Sequence, residues 1–171
     1  MNVSSLLFWL LLGLCLLFLL LVGARWYVAR EQTPLGPSAA EPVPQQLSAC
    51  PSTPNCVGSQ EREPSVAPFP LLPGDQGAES LALLAQLIEA MPRSAIKRQE
   101  AGYLHAEFES WLFGFIDDLE LLVNHTPPQI EVRSAARLGY SDLGVNRRRV
   151  EQLRKGYLEA GTSQQGPKAP E

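Results

Sequence analysis

Apolar residues occur along this chain in three patterns, and each predicts a different element. The first is an unbroken run: from Leu6 to Ala24 every residue is apolar or glycine. As a helix rising about 1.5 Å per residue this run is about 28 Å long, close to the roughly 30 Å hydrocarbon thickness of a bilayer. It predicts a transmembrane helix, with Trp26 and Tyr27 at the interface. The second pattern is the three-and-four spacing of Leu81, Leu84, Ile88 and Met91, one buried face of a helix that Asp75 caps and Pro92 ends. Val150, Leu153 and Tyr157 repeat that stripe in a later helix, with Gly161 as its C-cap.

The third pattern is alternation, beginning near Ala95. Strands are expected over residues 96–99, 103–112, 115–123 and 129–137, separated by turns at Glu100 to Gly102, at Gly114 and at Asn124 to Pro128. A period of two puts Leu104, Ala106 and Phe108 on one face and Tyr103, His105, Glu107, Glu109 and Trp111 on the other. In the last strand Ile130, Val132 and Ala136 oppose Glu131, Arg133 and Arg137, a charged face left to solvent or to a site. The economical way to bury these stripes is an α+β fold. It has an N-terminal transmembrane helix, then a helix, a four-stranded antiparallel meander and a C-terminal helix, the helices packed on one sheet face.

The 171 residues leave room for one modest domain, because much of the 45% hydrophobic content lies in the N-terminal run. The expected organisation is a membrane anchor with its interfacial flank over 1–30, a proline-rich linker over 31–49, the α+β domain over 50–160 and a disordered tail over 161–171. Pro34, Pro37, Pro42 and Pro44 stand among small and polar residues, so the linker reads as an extended tether holding the domain off the bilayer. A second proline-rich passage, Glu61 to Pro73, is expected to wrap the core rather than to join the sheet.

Val22 and Ala24 would suit a signal-peptidase site, but the apolar run exceeds a signal h-region and nothing basic precedes it, which favours an uncleaved anchor. Orientation is contested. Arg25 and Arg30 follow the run, and the positive-inside rule would keep the domain cytoplasmic. Cys50 and Cys56, six positions apart across Pro51 and Pro54, argue for an oxidising compartment. The pair is open to three readings: a structural disulfide, a redox-active pair, or half of a metal site. The first is favoured because a redox pair has tighter C-x-x-C spacing at a helix start. The only histidines, His105 and His125, are distant and out of ligand spacing. The domain is therefore expected on the extracytoplasmic, periplasmic side, with no metal and no cofactor.

The formal charge of −4 falls entirely after Ala24, and a mildly acidic domain excludes nucleic acid as the default partner. No G-x-S-x-G elbow, glycine-rich phosphate loop or H-E-x-x-H motif is present, so no residue is assigned as catalytic. The polar density lies in the strand, corner and helix from Ile130 to Arg154 and in the neighbouring Asp117 and Asp118. Adjacent on a strand, the two aspartates point to opposite faces and cannot share a proton. Asp117 shares its parity with Leu119 and Leu121, and a carboxylate there requires a partner such as Arg133, Arg137 or Arg147. Asp142 or Asn146 can cap the last helix. These residues form either a structural ion-pair network or a pocket for a small anion or a partner's carboxylate. The enzyme alternative is a hydrolase or isomerase with an Asp117 or Asp118 base and an Arg133 or Arg137 oxyanion site. Thiol redox chemistry at Cys50 and Cys56 is the third.

Three separated motifs carry a resemblance. They are Cys50-Pro51 with Asn55-Cys56-Val57, then Leu112-Phe113-Gly114-Phe115-Ile116-Asp117-Asp118, then Arg133 to Arg137 with Ser141-Asp142-Leu143-Gly144-Val145-Asn146-Arg147. In this order, over about Cys50 to Leu158, they resemble the domain of unknown function 1499 family. The resemblance implies a domain often found behind export or membrane signals and strengthens the disulfide reading. It implies no substrate, cofactor or catalytic residue.

Overall fold

A computed structural model of the chain describes residues 2–38, 40–63 and 65–164. Helix α1 spans Val3–Glu31, its apolar side chains are exposed along nearly its whole length, and it is long and apolar enough to cross a membrane. Val28, near its end, is its only buried residue. The domain then runs β1 (Cys56–Gly58), β2 (Phe69–Pro70), α2 (Ala78–Glu89), β3 (Ser94–Glu100), β4 (Tyr103–Glu109), β5 (Ile116–His125), β6 (Pro128–Ala136) and α3 (Val145–Gln164).

All strand pairs are antiparallel, in the order β1-β6-β5-β4-β3, with β2 also on β6. The expected meander is the β3 to β6 part. The fold is α+β as read from sequence, but the sheet has six strands because the stretch after the cysteine loop and the proline-rich passage 61–73 each contribute one. At three and two residues, β1 and β2 are too short for alternation to reveal, and Pro70 lies at the end of β2, where a missing N–H is tolerated. The second meander strand ends at Glu109 rather than Leu112. Residues 111–113 form a turn, which Gly114 completes at φ +71°. Helix α3 continues through Gly161, the expected cap, to Gln164, and the tail from residue 165 lies outside the described residues.

Helices α2 and α3 cover one sheet face. Leu84, Ile88, Val150, Leu153 and Tyr157 meet Leu104, Ala106, Leu119, Leu121, Ile130 and Val132 in one apolar core. Each fully buried side chain such as Leu84 or Ile88 contributes roughly 1.5–3 kcal/mol. Asp75 accepts the Glu79 and Ser80 N–H groups at the start of α2. Asp142 caps α3, accepting the Gly144 and Asn146 N–H groups at 3.0 and 2.7 Å.

The opposite face is also closed, and its cover is the expected tether. Leu35 N–H donates to Asp118. Arg98 donates to the carbonyls of Ser38 and Glu41, and Leu47 and Val43 pack on Tyr103 and Leu122. A Cβ on Gly36 would lie 3.0 Å from the His105 ring, so the segment runs flat against the sheet. Composition alone suggests an extended tether here, whereas tertiary hydrogen bonds and the buried Leu47 hold the segment down.

The hydrogen bond from Leu35 gives a direct expectation. In hydrogen exchange followed by NMR, the Leu35 amide should exchange far more slowly than a free chain amide. Exchange at the free-chain rate would mean that the segment is a loose tether after all.

Candidate functional site

Cross-strand register assembles the polar residues on the two faces separately. Asp118 of β5 stands opposite Glu107 of β4, and Arg133 of β6 opposite Glu120 of β5, which in turn faces His105 of β4. On this outer face Arg137 grips Asp118 with two donors, Nε to Oδ2 and Nη2 to Oδ1, both at 2.7 Å, and also reaches Glu107. His105 Nε2 donates to Asp118 Oδ1 at 2.6 Å, and Leu35 N–H to Oδ2 at 3.2 Å. These four donors fill the acceptor sites of one carboxylate. Burial disfavours the Asp118 carboxylate, but the hydrogen bonds from Arg137 and His105 outweigh it and hold its pKa below the ordinary value. Burial also works against the Arg137 guanidinium, and its bonds to Asp118 and Glu107 reverse that, raising its pKa. One strand position further on, Tyr103 donates to Glu120 at 2.8 Å and Arg133 Nη1 does so at 2.9 Å. Arg133 Nε is buried without a hydrogen-bond partner among the described residues.

On the helix face Asp117 accepts Arg149 Nη2 at 2.6 Å. Arg149 also donates to Asn146 and Ser134, and its guanidinium stacks over Phe108, 4.5 Å from the ring centroid. Asn146 is fully buried and donates to the Asn55 carbonyl, locking α3 onto the segment entering β1. Asn55 continues the chain of bonds to the Ala136 and Gly139 carbonyls.

The expected residues therefore divide three ways. Asp118 and Arg137 form one cluster, and Arg133 pairs with Glu120 beside it. Asp117 and Asn146 belong to the other face, where Asp142 is the helix cap. Arg147 is exposed and makes no ion pair or hydrogen bond among the described residues, so it does not serve Asp117. Arg149, two positions on, does. Three successive arginines point in three directions on a helix, and only its rotation about its axis selects the inward one. Glu107, which parity puts on the outer face, and Glu120 and Arg149 were not named as site residues from sequence. Parity on β5 could have flagged Glu120 in the same way.

Of the site aspartates, Asp117 alone retains unused capacity among the described residues. One of its oxygens takes no hydrogen bond among the described residues, and burial pushes its pKa above the ordinary value despite the neighbouring Arg149. It lines a cleft of about 420 Å³ with Arg93, Arg148, Arg149, Phe108 and Trp111. Arg93 and Arg148 donate to the Glu109 and Leu143 carbonyls and have no carboxylate partner among the described residues. The cleft can thus accept an anionic group alongside an aromatic surface. Among the described residues no cluster of His, Cys, Asp and Glu has metal-ligand geometry.

Cys50 and Cys56 form a disulfide with Cα atoms 5.6 Å apart, and Cys56 is buried in β1 opposite Ala135. Cys15 is a free, exposed cysteine on α1.

Asp118 gives a testable sign. Asp118→Asn takes the two-point carboxylate from the buried Arg137 and leaves it only its contact to Glu107, which should cost about 3 kcal/mol at pH 7. The wild-type advantage is full above the ordinary aspartate value of 3.8 and is lost as pH falls through the lower folded pKa. For Asp117 the sign reverses. The folded protein holds that proton more tightly, so its contribution weakens as pH rises from 3.8 through the raised folded value, and Asp117→Asn removes this dependence. Urea unfolding of the full chain in detergent across pH reads both, and an Asp118→Asn protein as stable as wild type at pH 7 would contradict the assignment.

Comparison with known proteins gives one match. A family model described as a protein of unknown function (DUF1499) matches residues 46–156. That covers the disulfide, both polar clusters and most of α3, and leaves out α1 and the first part of the segment that covers the outer face. No curated protein and no solved structure matches the chain. The chain belongs to the DUF1499 family.

Proposed function

We propose that this member of the DUF1499 family is a single-pass membrane protein that holds its domain on the extracytoplasmic side. There it acts as a non-enzymatic module that receives the anionic group of a small ligand or protein partner at the cleft beside the start of α3. The observation that carries the binding reading is the pair Arg93 and Arg148. They stand at the cleft without a carboxylate partner among the described residues, beside the Trp111 ring. The remaining site arginines, 133, 137 and 149, are each neutralised by a carboxylate and hold the fold together.

The side of the membrane is supported by the Cys50–Cys56 bond, which persists in oxidising compartments. Burial of Cys56 in the sheet favours a structural bond over a cycling redox pair. Arg25 and Arg30 are a weak opposing bias, because domains of this length translocate largely regardless of charge. One observation favours the enzyme reading: the raised pKa and open oxygen of Asp117 at the cleft suit a general base, with Arg148 beside it. Asp118, saturated by four donors, does not suit that role.

Sidedness is tested by labelling intact cells with a membrane-impermeant thiol reagent in a Cys15→Ser background. Labelling at Cys50 and Cys56 only after external reduction is expected, and labelling only in opened cells, without reduction, would place the domain in the cytoplasm. Binding is tested by thermal shift of the full chain in detergent with phosphates and carboxylates. A ligand at about a hundred times its Kd stabilises by about 2.7 kcal/mol, and the shift should vanish in Arg93→Ala/Arg148→Ala. No shift with any anion would remove the cleft as an anion site.

A further inference from the structure

The ends of the strands sort the exposed apolar residues. β3 begins, β4 ends, β5 begins and β6 ends at one pole of the sheet, and α3 starts there too. Among the described residues outside α1, eight large hydrophobic side chains are exposed, and seven of them lie at this pole. Four are on the turn after β4, Trp111, Leu112, Phe113 and Phe115, and three lie between Tyr140 and Val145. Trp111 is 75% exposed and Leu143 84%. An exposed apolar surface concentrated at one pole marks an interaction site rather than the scatter normal for a soluble surface.

The same pole is tied to the membrane helix. Arg25 pairs with Glu109 and lies against Gly114. Gln32, just beyond the end of α1, donates to the Gly114 carbonyl at 2.9 Å and accepts the Ile116 N–H. Arg25 immediately follows the apolar run, and Gln32 lies about 10 Å further along the axis. The polar layer of one leaflet is roughly 5–8 Å deep. The turn 110–115 is therefore fastened beside the anchor at the depth of the lipid headgroups, with its aromatic side chains uncovered. Arg93, Arg147 and Arg148 stand at the same pole without carboxylate partners among the described residues, and the Asp117 and Glu109 carboxylates there are each paired to an arginine. Aromatic side chains with flanking cations are the composition that partitions into an anionic interface.

We propose that this pole is a second membrane contact: the Trp111–Phe115 turn inserts into the interface of the leaflet from which α1 emerges, seating the domain on the bilayer. The occupant is the lipid surface, because the turn is continuous with the anchor that already lies in it. The inference rests on the anchor reading and gives the anionic group received at the cleft a source, the phosphodiester of a membrane lipid. The domain then sits down on the membrane instead of hanging from a free tether.

Three single-tryptophan chains test it, because Trp9, Trp26 and Trp111 are the only tryptophans. Each keeps one indole and replaces the other two with phenylalanine, and the full chain is reconstituted in phosphatidylcholine and phosphatidylglycerol vesicles with and without brominated acyl chains. Trp111 emission should be blue-shifted and lose intensity to brominated lipid nearly as strongly as Trp26. Quenched Trp9 and Trp26 with water-like, unquenched Trp111 would overturn the docking while leaving the anchor in place, and the aromatic pole would then be free for a protein partner. An unquenched Trp9 would remove the anchor and the docking together. The thermal shift with soluble anions reports on the cleft independently of all three outcomes.

Discussion

The single sheet of this α+β domain has two faces, and helices cover only one. The other face carries Glu107, Asp118, Glu120, Arg133, Arg137 and His105, charged or ionisable groups that β-strand parity forces to the side away from the core. Leaving them wet would leave the sheet half covered, and burying them unpaired would cost several kcal/mol each. The structure adopts a third arrangement, in which carboxylates and guanidiniums neutralise one another along the cross-strand rows and a proline-rich segment closes over them. The two-point bond between Arg137 and Asp118 is the centre of this arrangement, because it ties β5 to the corner leaving β6 while the same carboxylate holds the covering segment through Leu35.

Much of this was legible in the sequence, and the parts that were not have physical reasons. Spacing revealed α2, and its cap at Asp75 followed from composition. Parity revealed that Asp117 and Asp118 face apart. Pairing was less accessible, because it depends on register: Asp118 finds His105 only through the β4–β5 alignment, and Arg137 finds it across a corner. Arg149 could not be separated from Arg147 and Arg148 before the rotation of α3 was known. β1 and β2 escaped notice because three and two residues carry no period. The covering segment escaped for a different reason. Its prolines suit an extended chain, and an extended chain is also what lies flat on a sheet with its carbonyls turned toward Arg98.

The two aspartates illustrate how environment separates chemistry from architecture. Asp118 is filled by four donors and held ionised, with nothing left to offer a ligand. Asp117 has one arginine and an open oxygen beside a cleft, at the pole that also bears the aromatic turn and the link to α1. The outer-face carboxylates are therefore taken up in holding the sheet and its covering segment, while the capacity to interact is gathered at the end of the domain nearest α1. The disulfide fits this division: it fixes the stretch leading into β1, whose Asn55 bonds Asn146 and joins the two regions.

The claim that the Asp118–Arg137 pair closes the outer face is tested most directly by a double-mutant cycle. Asp118→Asn, Arg137→Gln and the double variant are compared with wild type by equilibrium unfolding of the full chain at neutral pH. Residues coupled in one buried network show interaction energies of about 0.5–3 kcal/mol, and for this pair a value in the upper half of that range is expected. Losses that simply add, within about 0.5 kcal/mol, would mean that the two residues act independently and that the outer face is held by something else.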